Sequence, residues 1–305
     1  NPDVADRDLT LDDYLELGVL ESLRAVRQDA RQAPVHAMGY CLGGTLLAIA
    51  AAALSRNDGM AGYSDLPAPH TRALLAAQVD FVEPGELGLF VDEGQINLLD
   101  QITRGQGFLS GKQMAGSFQF LRSRDLVWAR RMREYLMGER GQSNDLMTWN
   151  ADTTRLPARM HHEYMVALYL QNALANGRYR VADNAVSLQD LRLPIFLVGT
   201  ERDHVSPWHS VYKLHRLTAA EITFVLTSGG HNAGIVSEPG HPRRYYRILT
   251  RAEGDTRLTP DDWLQQARHS EGSWWPAWQD WLVARSRKPV PAQPIPARQV
   301  LCDAP

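Results

Sequence analysis

Apolar residues recur at helical spacing near the start of the chain. Leu15, Val19, Leu23 and Val26 share a face, and Thr10 with Asp13 three residues on forms a capping box ahead of them. The spacing predicts an amphipathic helix to about Gln28, weakened at Gly18. Pro34-Val35-His36-Ala37-Met38 then reads as a short strand leading into Gly39, and the alanine-rich run from Thr45 to Leu54 as a buried helix. Arg72 to Phe81 holds another apolar run, ending near Asp80, and Leu193 to Thr200 and Glu221 to Thr227 are strand candidates rich in Ile, Val and Phe. Helical patterns separate these runs, so a parallel sheet is expected.

Between Glu83 and about Ala185 the texture changes to mixed helix and loop, rich in Arg, Met and Gln and without a clear strand. It reads as an insertion between two strands of the sheet. The expected division is therefore 1–83, first part of the core; 84–185, a cap; 186–286, second part of the core; and 287–305, a proline-rich tail expected to be extended. Within the second core part, Trp274, Trp278 and Trp281 are spaced for one helical face, for which docking onto the core is the default explanation.

Composition narrows the function classes. A chain of 305 residues with 44% hydrophobic content and a net charge of -3 fits one core plus an insertion and gives no reason to expect nucleic acid as a partner. The longest uncharged stretch, Gln32 to Ser55, is broken by Pro34, His36 and three glycines, so no transmembrane segment is expected. The amino terminus lacks the basic-then-apolar pattern of a secretory signal. Two cysteines, Cys41 and Cys302, form neither a disulfide framework nor a metal-type spacing, which suits a reducing cytoplasm.

The chemistry centres on Gly39-Tyr40-Cys41-Leu42-Gly43, which fits Gly-x-nucleophile-x-Gly with cysteine in the nucleophile position, between a predicted strand and helix. Such a turn is strained, so the residues two before and two after the nucleophile are expected to be small where backbone passes close by. Gly44 extends the glycine-rich turn. At the start of a helix, free N–H groups and the helix dipole favour thiolate, and the Leu42 N–H is positioned to donate to a developing oxyanion. A small buried cysteine in a glycine-rich turn is the bland reading of the same five residues.

Glu201-Arg202-Asp203-His204-Val205-Ser206-Pro207 follows one predicted strand, with Ser206 expected to cap and Pro207 to open the next helix; Ser228-Gly229-Gly230-His231 follows another. Parallel strands would bring both loops above the elbow. The order nucleophile, acid, histidine is that of α/β-hydrolases. His161-His162-Glu163 lacks the spacing of a metal site and reads as a packed or solvated helix face; no metal is expected.

Several segments together resemble the polyhydroxyalkanoate synthases. Gly39-Tyr40-Cys41-Leu42-Gly43-Gly44-Thr45 resembles the family's cysteine lipase box, and Asp80-Phe81 with Phe90-Val91-Asp92-Glu93 resembles the segment after it. Trp149-Asn150-Ala151-Asp152 resembles its cap motif. Glu201 to Trp208 and Ser228 to Val236 resemble its acid and histidine loops.

The resemblance implies an α/β-hydrolase-type fold, a mostly parallel sheet with a helical cap. It also implies polymerisation of (R)-3-hydroxyacyl-coenzyme A into polyester with release of coenzyme A. Cys41 would carry the acyl chain, His231 would deprotonate the thiol, and Asp203 would orient His231 or help activate the incoming hydroxyl. Trp149, Asn150 and Asp152, with His204 beside Asp203, are the candidates for substrate contact; His204 reads equally as a loop residue without a role. No cofactor is expected, coenzyme A being part of the substrate. A homodimer acting in the cytoplasm at the surface of polymer granules is implied as well.

Homomeric members of that family, which the Trp274 to Trp281 segment resembles, carry an amino-terminal region with the first sheet strands and a loop supplying the second oxyanion donor. This chain, starting at Asn1, is expected to lack both, to be poorly active alone and to aggregate through an exposed sheet edge. Two rival readings stand beside synthase: a thioesterase or polyester hydrolase using the same three residues, and a truncated non-catalytic granule-associated module.

Overall fold

The capping box sets the first helical run. Asp13 N–H donates to Thr10 Oγ1 at 3.0 Å and Thr10 N–H donates to Asp13 Oδ2 at 2.7 Å. Helix α1 (Leu11–Tyr14) passes through π-helical turns at Leu15–Leu20 into α2 (Glu21–Ala30). The wide turns fall on Gly18, the expected weak point, where the Ser22 hydroxyl donates to the Gly18 carbonyl at 2.6 Å. The structure, a computed structural model, describes residues 1–30, 33–56, 63, 66, 68–121, 128–138, 145–289 and 291. Cys302 and the prolines beyond 291 lie outside these residues.

The core begins with β1 (His36–Tyr40), α3 (Leu42–Leu54) and β2 (Thr71–Leu75). Residues 84–185 hold α4 (Glu93–Gln106), β3 (Phe108–Leu109), α5 (Gly111–Leu121), α6 (Ala129–Leu136) and α7 (Asp145–Ala151). They continue with β4 (Leu156–Pro157), α8 (Ala158–Glu163), π-helical turns at Tyr164–Leu170, β5 (Arg180–Val181) and β6 (Asn184–Ala185). The core resumes with β7 (Ile195–Thr200), α9 (Trp208–Tyr212), α10 (Leu214–Leu217) and β8 (Ile222–Thr227). It ends with β9 (Tyr245–Arg251), α11 (Pro260–Gln266), β10 (Arg268–Glu271) and α12 (Trp275–Ala284).

The main sheet runs β1-β2-β7-β8-β9-β10. Its first four strands are parallel, in registers such as Tyr40 beside Leu75 and Leu75 beside Val198, whereas β9 pairs antiparallel with β8 and β10 antiparallel with β9. Alternation decides which face each side chain joins. Leu74, Ile195 and Leu197 point into a large core with α3 and the first helices, while Ala73, Leu75, Phe196 and Val198 point to the opposite face. There Trp274 and Trp281 bury themselves against Phe196, at ring distances of 6.2 and 5.4 Å. The tryptophan segment is thus docked on the core, with Trp278 partly buried beside it.

Several expected boundaries move. β1 lies two residues later than expected and runs through Gly39 to Tyr40, because its ladder with β2 continues to the edge of the nucleophile turn. Helix α3 starts at Leu42 rather than Thr45. β2 ends at Leu75, not near Asp80: Ala76, at φ 46°, turns the chain out of the sheet. β9 and β10 are absent from the sequence reading because Arg247, Thr250, Arg251, Arg268 and His269 hide any apolar run. The insertion, expected to lack strands, contains two-residue pairings of β3 with β4 and β5 with β6.

Candidate active site

Cys41 sits between β1 and α3 at φ 53°, ψ -126°, a left-handed conformation that a non-glycine residue adopts only under constraint. The Cys41 N–H donates to Leu75 O at 2.9 Å, and Cys41 O accepts from the Gly44 and Thr45 N–H groups at 2.9 and 3.2 Å, so the turn is held at both ends. Glycine is required at Gly39, where a Cβ would lie 2.5 Å from Gly43 O and 2.6 Å from the Gly44 Cα. The second required glycine is not Gly43, as expected, but Gly44. A Cβ on Gly43 meets nothing within 4 Å, whereas one on Gly44 would meet the Ala77 Cβ at 2.5 Å and Gly39 O at 2.9 Å. The α3 helix turns the second glycine toward β1 and the first toward open space. Leu42 is the first helical residue, where the helix itself supplies no acceptor for the N–H.

Asp203 leaves the end of β7 with its side chain fully enclosed. Its Oδ1 accepts the N–H groups of Val205 at 2.9 Å and Ser206 at 2.8 Å. Its Oδ2 accepts from the Thr200 hydroxyl at 3.1 Å and faces His231 Nδ1 at 2.8 Å. The expected Ser206 cap is therefore replaced. Helix α9 begins at Trp208 after Pro207 without a side-chain cap, and Asp203 takes up the turn's N–H groups instead.

His231 lies in the loop after β8, its Nδ1 2.8 Å from Asp203 Oδ2, with Cys41 near enough to act on its charge. With Nδ1 engaged by the carboxylate, Nε2 is the nitrogen left for the thiol. Burial alone would depress this imidazole, but the Asp203 carboxylate it is bonded to and the nearby Cys41 outweigh it and raise its pKa to about 10. Such a group takes the thiol proton, keeps it as imidazolium, and can return it to a leaving group.

Tyr40 packs its ring 5.2 Å from the His231 ring. Its hydroxyl donates to Asn232 Oδ1 at 2.5 Å, and Asn232 Nδ2 donates to Asn150 Oδ1 on α7 at 3.1 Å. Of the other candidates, Trp149, 54% exposed, and Asp152 are both exposed. The His204 carbonyl accepts the Glu86 N–H at 2.9 Å, anchoring the loop after β2 to the acid loop. The His161-His162-Glu163 segment packs: His161 is buried, His162 Nδ1 meets Asp100 Oδ2 at 2.7 Å, and Glu163 Oε2 accepts the Leu11 N–H at 2.9 Å. Among the described residues, no cluster of three or more His, Cys, Asp or Glu could hold a metal ion.

Sequence reasoning missed Tyr164 and Tyr169. Tyr169 is buried and Tyr164 partly so; Phe81 lies edge-on to Tyr164 at 6.4 Å and tilted against Tyr169 at 4.7 Å, and the two hydroxyls come within 3.4 Å of each other. Burial pushes both phenols up; for Tyr164 the neighbouring Tyr169 and then Cys41 add to it, and for Tyr169 Cys41 does. Their five-residue separation is the hydrogen-bond spacing of a π-helix, so α-helical periodicity assigns them to different faces.

The family model for the alpha/beta hydrolase fold matches residues 2–238. The chain is 34% identical over 293 residues to a poly(3-hydroxyalkanoate) polymerase of Methylorubrum extorquens, covering 96% of this chain and 47% of that one. It is 35% identical over 293 residues to the poly(3-hydroxyalkanoate) polymerase subunit PhaC of Rhizobium meliloti, covering 96% and 46%. Against the subunit of the same name from Cupriavidus necator it is 32% identical over 322 residues, covering 100% and 53%. The chain spans about half the length of these curated relatives. The elbow cysteine, the acid and histidine after successive strands, and the matched region place one statement beyond the resemblance: the chain belongs to the alpha/beta hydrolase fold family.

Proposed function

We propose that this chain carries the acyl-transfer centre of a poly(3-hydroxyalkanoate) polymerase. The observation that carries the reading is the 2.8 Å pairing of His231 with Asp203 beside the strained turn that presents Cys41, whose charge His231 feels, and the similarity to curated polymerases supports it. His231 takes the Cys41 proton, and the sulfur attacks the thioester carbonyl of (R)-3-hydroxyacyl-coenzyme A. The bond from carbonyl carbon to coenzyme A sulfur breaks, and the imidazolium protonates the leaving thiolate. The Leu42 N–H receives the developing oxyanion.

The acyl group then rests on Cys41 as a thioester. Transfer between thioesters is nearly neutral in energy, so it stays activated for attack by the hydroxyl of another acyl unit. Asp203 orients the base: both of its oxygens are engaged and its side chain is enclosed, which favours this role over direct contact with an incoming hydroxyl. Polymerisation in place of hydrolysis requires water to be kept out, the task assigned to the 84–185 insertion, whose α7 reaches the histidine loop through Asn150. Trp149, Asp152 and His204 are second-rank candidates for substrate contact.

The reading needs no cofactor, coenzyme A being a leaving group. It extends to a homodimer at the surface of polymer granules in the cytoplasm. Exposed Trp128, Tyr135 and Leu136 on and beside α6 supply apolar surface, and no helix among the described residues is long and apolar enough to cross a membrane. The test is the product formed from 3-hydroxybutyryl-coenzyme A: coenzyme A release with insoluble polyester supports a polymerase, and release with free hydroxy acid supports the rival hydrolase.

A further inference from the structure

The chain neighbours of the two reacting residues are bonded to each other. Tyr40 precedes Cys41, Asn232 follows His231, and the Tyr40 hydroxyl donates to Asn232 Oδ1 at 2.5 Å, with the His231 carbonyl 3.3 Å away as a weaker acceptor. Strand β1 and the histidine loop are thus tied one residue away from the thiol and the imidazole. The Tyr40 ring flanks the His231 ring at 5.2 Å, tilted by 34°, so a shift of Tyr40 is felt by the imidazole through packing as well.

The same Asn232 amide turns its other end outward, where Nδ2 donates to Asn150 Oδ1 on α7 at 3.1 Å. One orientation of the amide serves both bonds, acceptor inward and donor outward. Asn150 hydrogen-bonds to Asn232 and so lies two hydrogen bonds from Tyr40.

We propose that Asn232 is a positioning residue that couples the seating of helix α7 to the alignment of His231 on Cys41. When α7 is seated, Asn150 fixes the Asn232 amide, Asn232 fixes Tyr40, and the imidazole is held between Tyr40 and Asp203. When α7 lifts to admit substrate, the amide is free to rotate, and the histidine loses one wall of its support. The base is then fully aligned only under a closed cap, which is when water is excluded. This deepens the acyl-transfer reading and rests on it only for what the cap admits.

The test reads the histidine and not the substrate. The proton between His231 Nδ1 and Asp203 gives a downfield proton resonance whose exchange with solvent reports how firmly the ring is held. In the full chain, Asn232→Ala and Asn150→Ala are each expected to speed that exchange by about tenfold or more, as local opening requires. Asn150→Asp, which keeps the acceptor, is expected to restore the slow exchange. Combining Asn232→Ala with Asn150→Ala is expected to add less than twofold over the faster single variant, because both break one chain. Thermal melting by circular dichroism within about 2 °C of wild type separates positioning from general loosening. A wild-type exchange rate in Asn150→Ala overturns the coupling, a wild-type rate in Asn232→Ala overturns the positioning role, and fully multiplicative effects overturn the single chain. Because no acyl-coenzyme A is used, failure of the acyl-transfer reading appears in the product assay and leaves this result standing.

Discussion

His231 Nδ1 lies 2.8 Å from Asp203 Oδ2, on a carboxylate whose other oxygen is held by the Val205 and Ser206 N–H groups. The acid is fixed before the histidine reaches it, and the histidine is fixed before the thiol reacts. Such preorganisation is what acyl transfer asks of a scaffold.

Replacing Asp203 by Asn keeps the shape and removes the charge that holds the imidazole in its useful orientation. The rate of Cys41 acylation is expected to fall by about two to four orders of magnitude. In the same variant, NMR titration of His231 is expected to show its pKa falling from about 10 toward the ordinary 6.5. Stopped-flow coenzyme A release and the titration check the two halves separately.

The raised pKa of His231 also gives a stability signature. The folded state binds this proton more tightly than the unfolded chain, so the contribution is full below pH 6.5 and is lost as pH rises through about 10. Comparing urea unfolding of wild type and His231→Gln at about pH 6 and about pH 10.5 is expected to show the wild type's advantage shrinking at the higher pH.

The two glycines after Cys41 are expected to respond in opposite ways. Gly44→Ala drives a Cβ to within 2.5 Å of the Ala77 Cβ and is expected to cost about 1–3 kcal/mol. Gly43→Ala enters open space in a helix and is expected to be neutral or to stabilise by up to about 1 kcal/mol. Chemical denaturation of the two variants distinguishes this assignment from one that requires Gly43.

Trp281 is 7% exposed and packs 5.4 Å from Phe196, holding α12 on the face of the sheet opposite α3. Trp281→Ala is expected to cost about 3–5 kcal/mol in urea unfolding. Trp278, only partly buried, is expected to cost less when truncated.

What was legible in the sequence was whatever local pattern could carry. The Thr10–Asp13 box, the elbow motif and the apolar cores of β7 and β8 all appear as strings of adjacent residues. β9 and β10 were not legible, because Arg247, Thr250 and Arg251 interrupt the apolar residues of β9 and β10 is wholly polar, so both look like loop. The roles of Gly43 and Gly44 were exchanged because spacing along the chain does not say which way a helix turns each residue. Tyr164 and Tyr169 were hidden by π-helical spacing, and the Tyr40–Asn232–Asn150 chain joins three segments that only the fold brings together.

The central claim is that the Cys41 thiol, backed by His231 and Asp203, takes an acyl group from coenzyme A. Intact mass spectrometry after mixing with 3-hydroxybutyryl-coenzyme A measures it most directly. The account predicts an added acyl mass located on the Cys41 peptide, absent in Cys41→Ala and slow to form in Asp203→Asn. An unmodified Cys41 in folded protein, or an adduct that persists in Cys41→Ala, would contradict it.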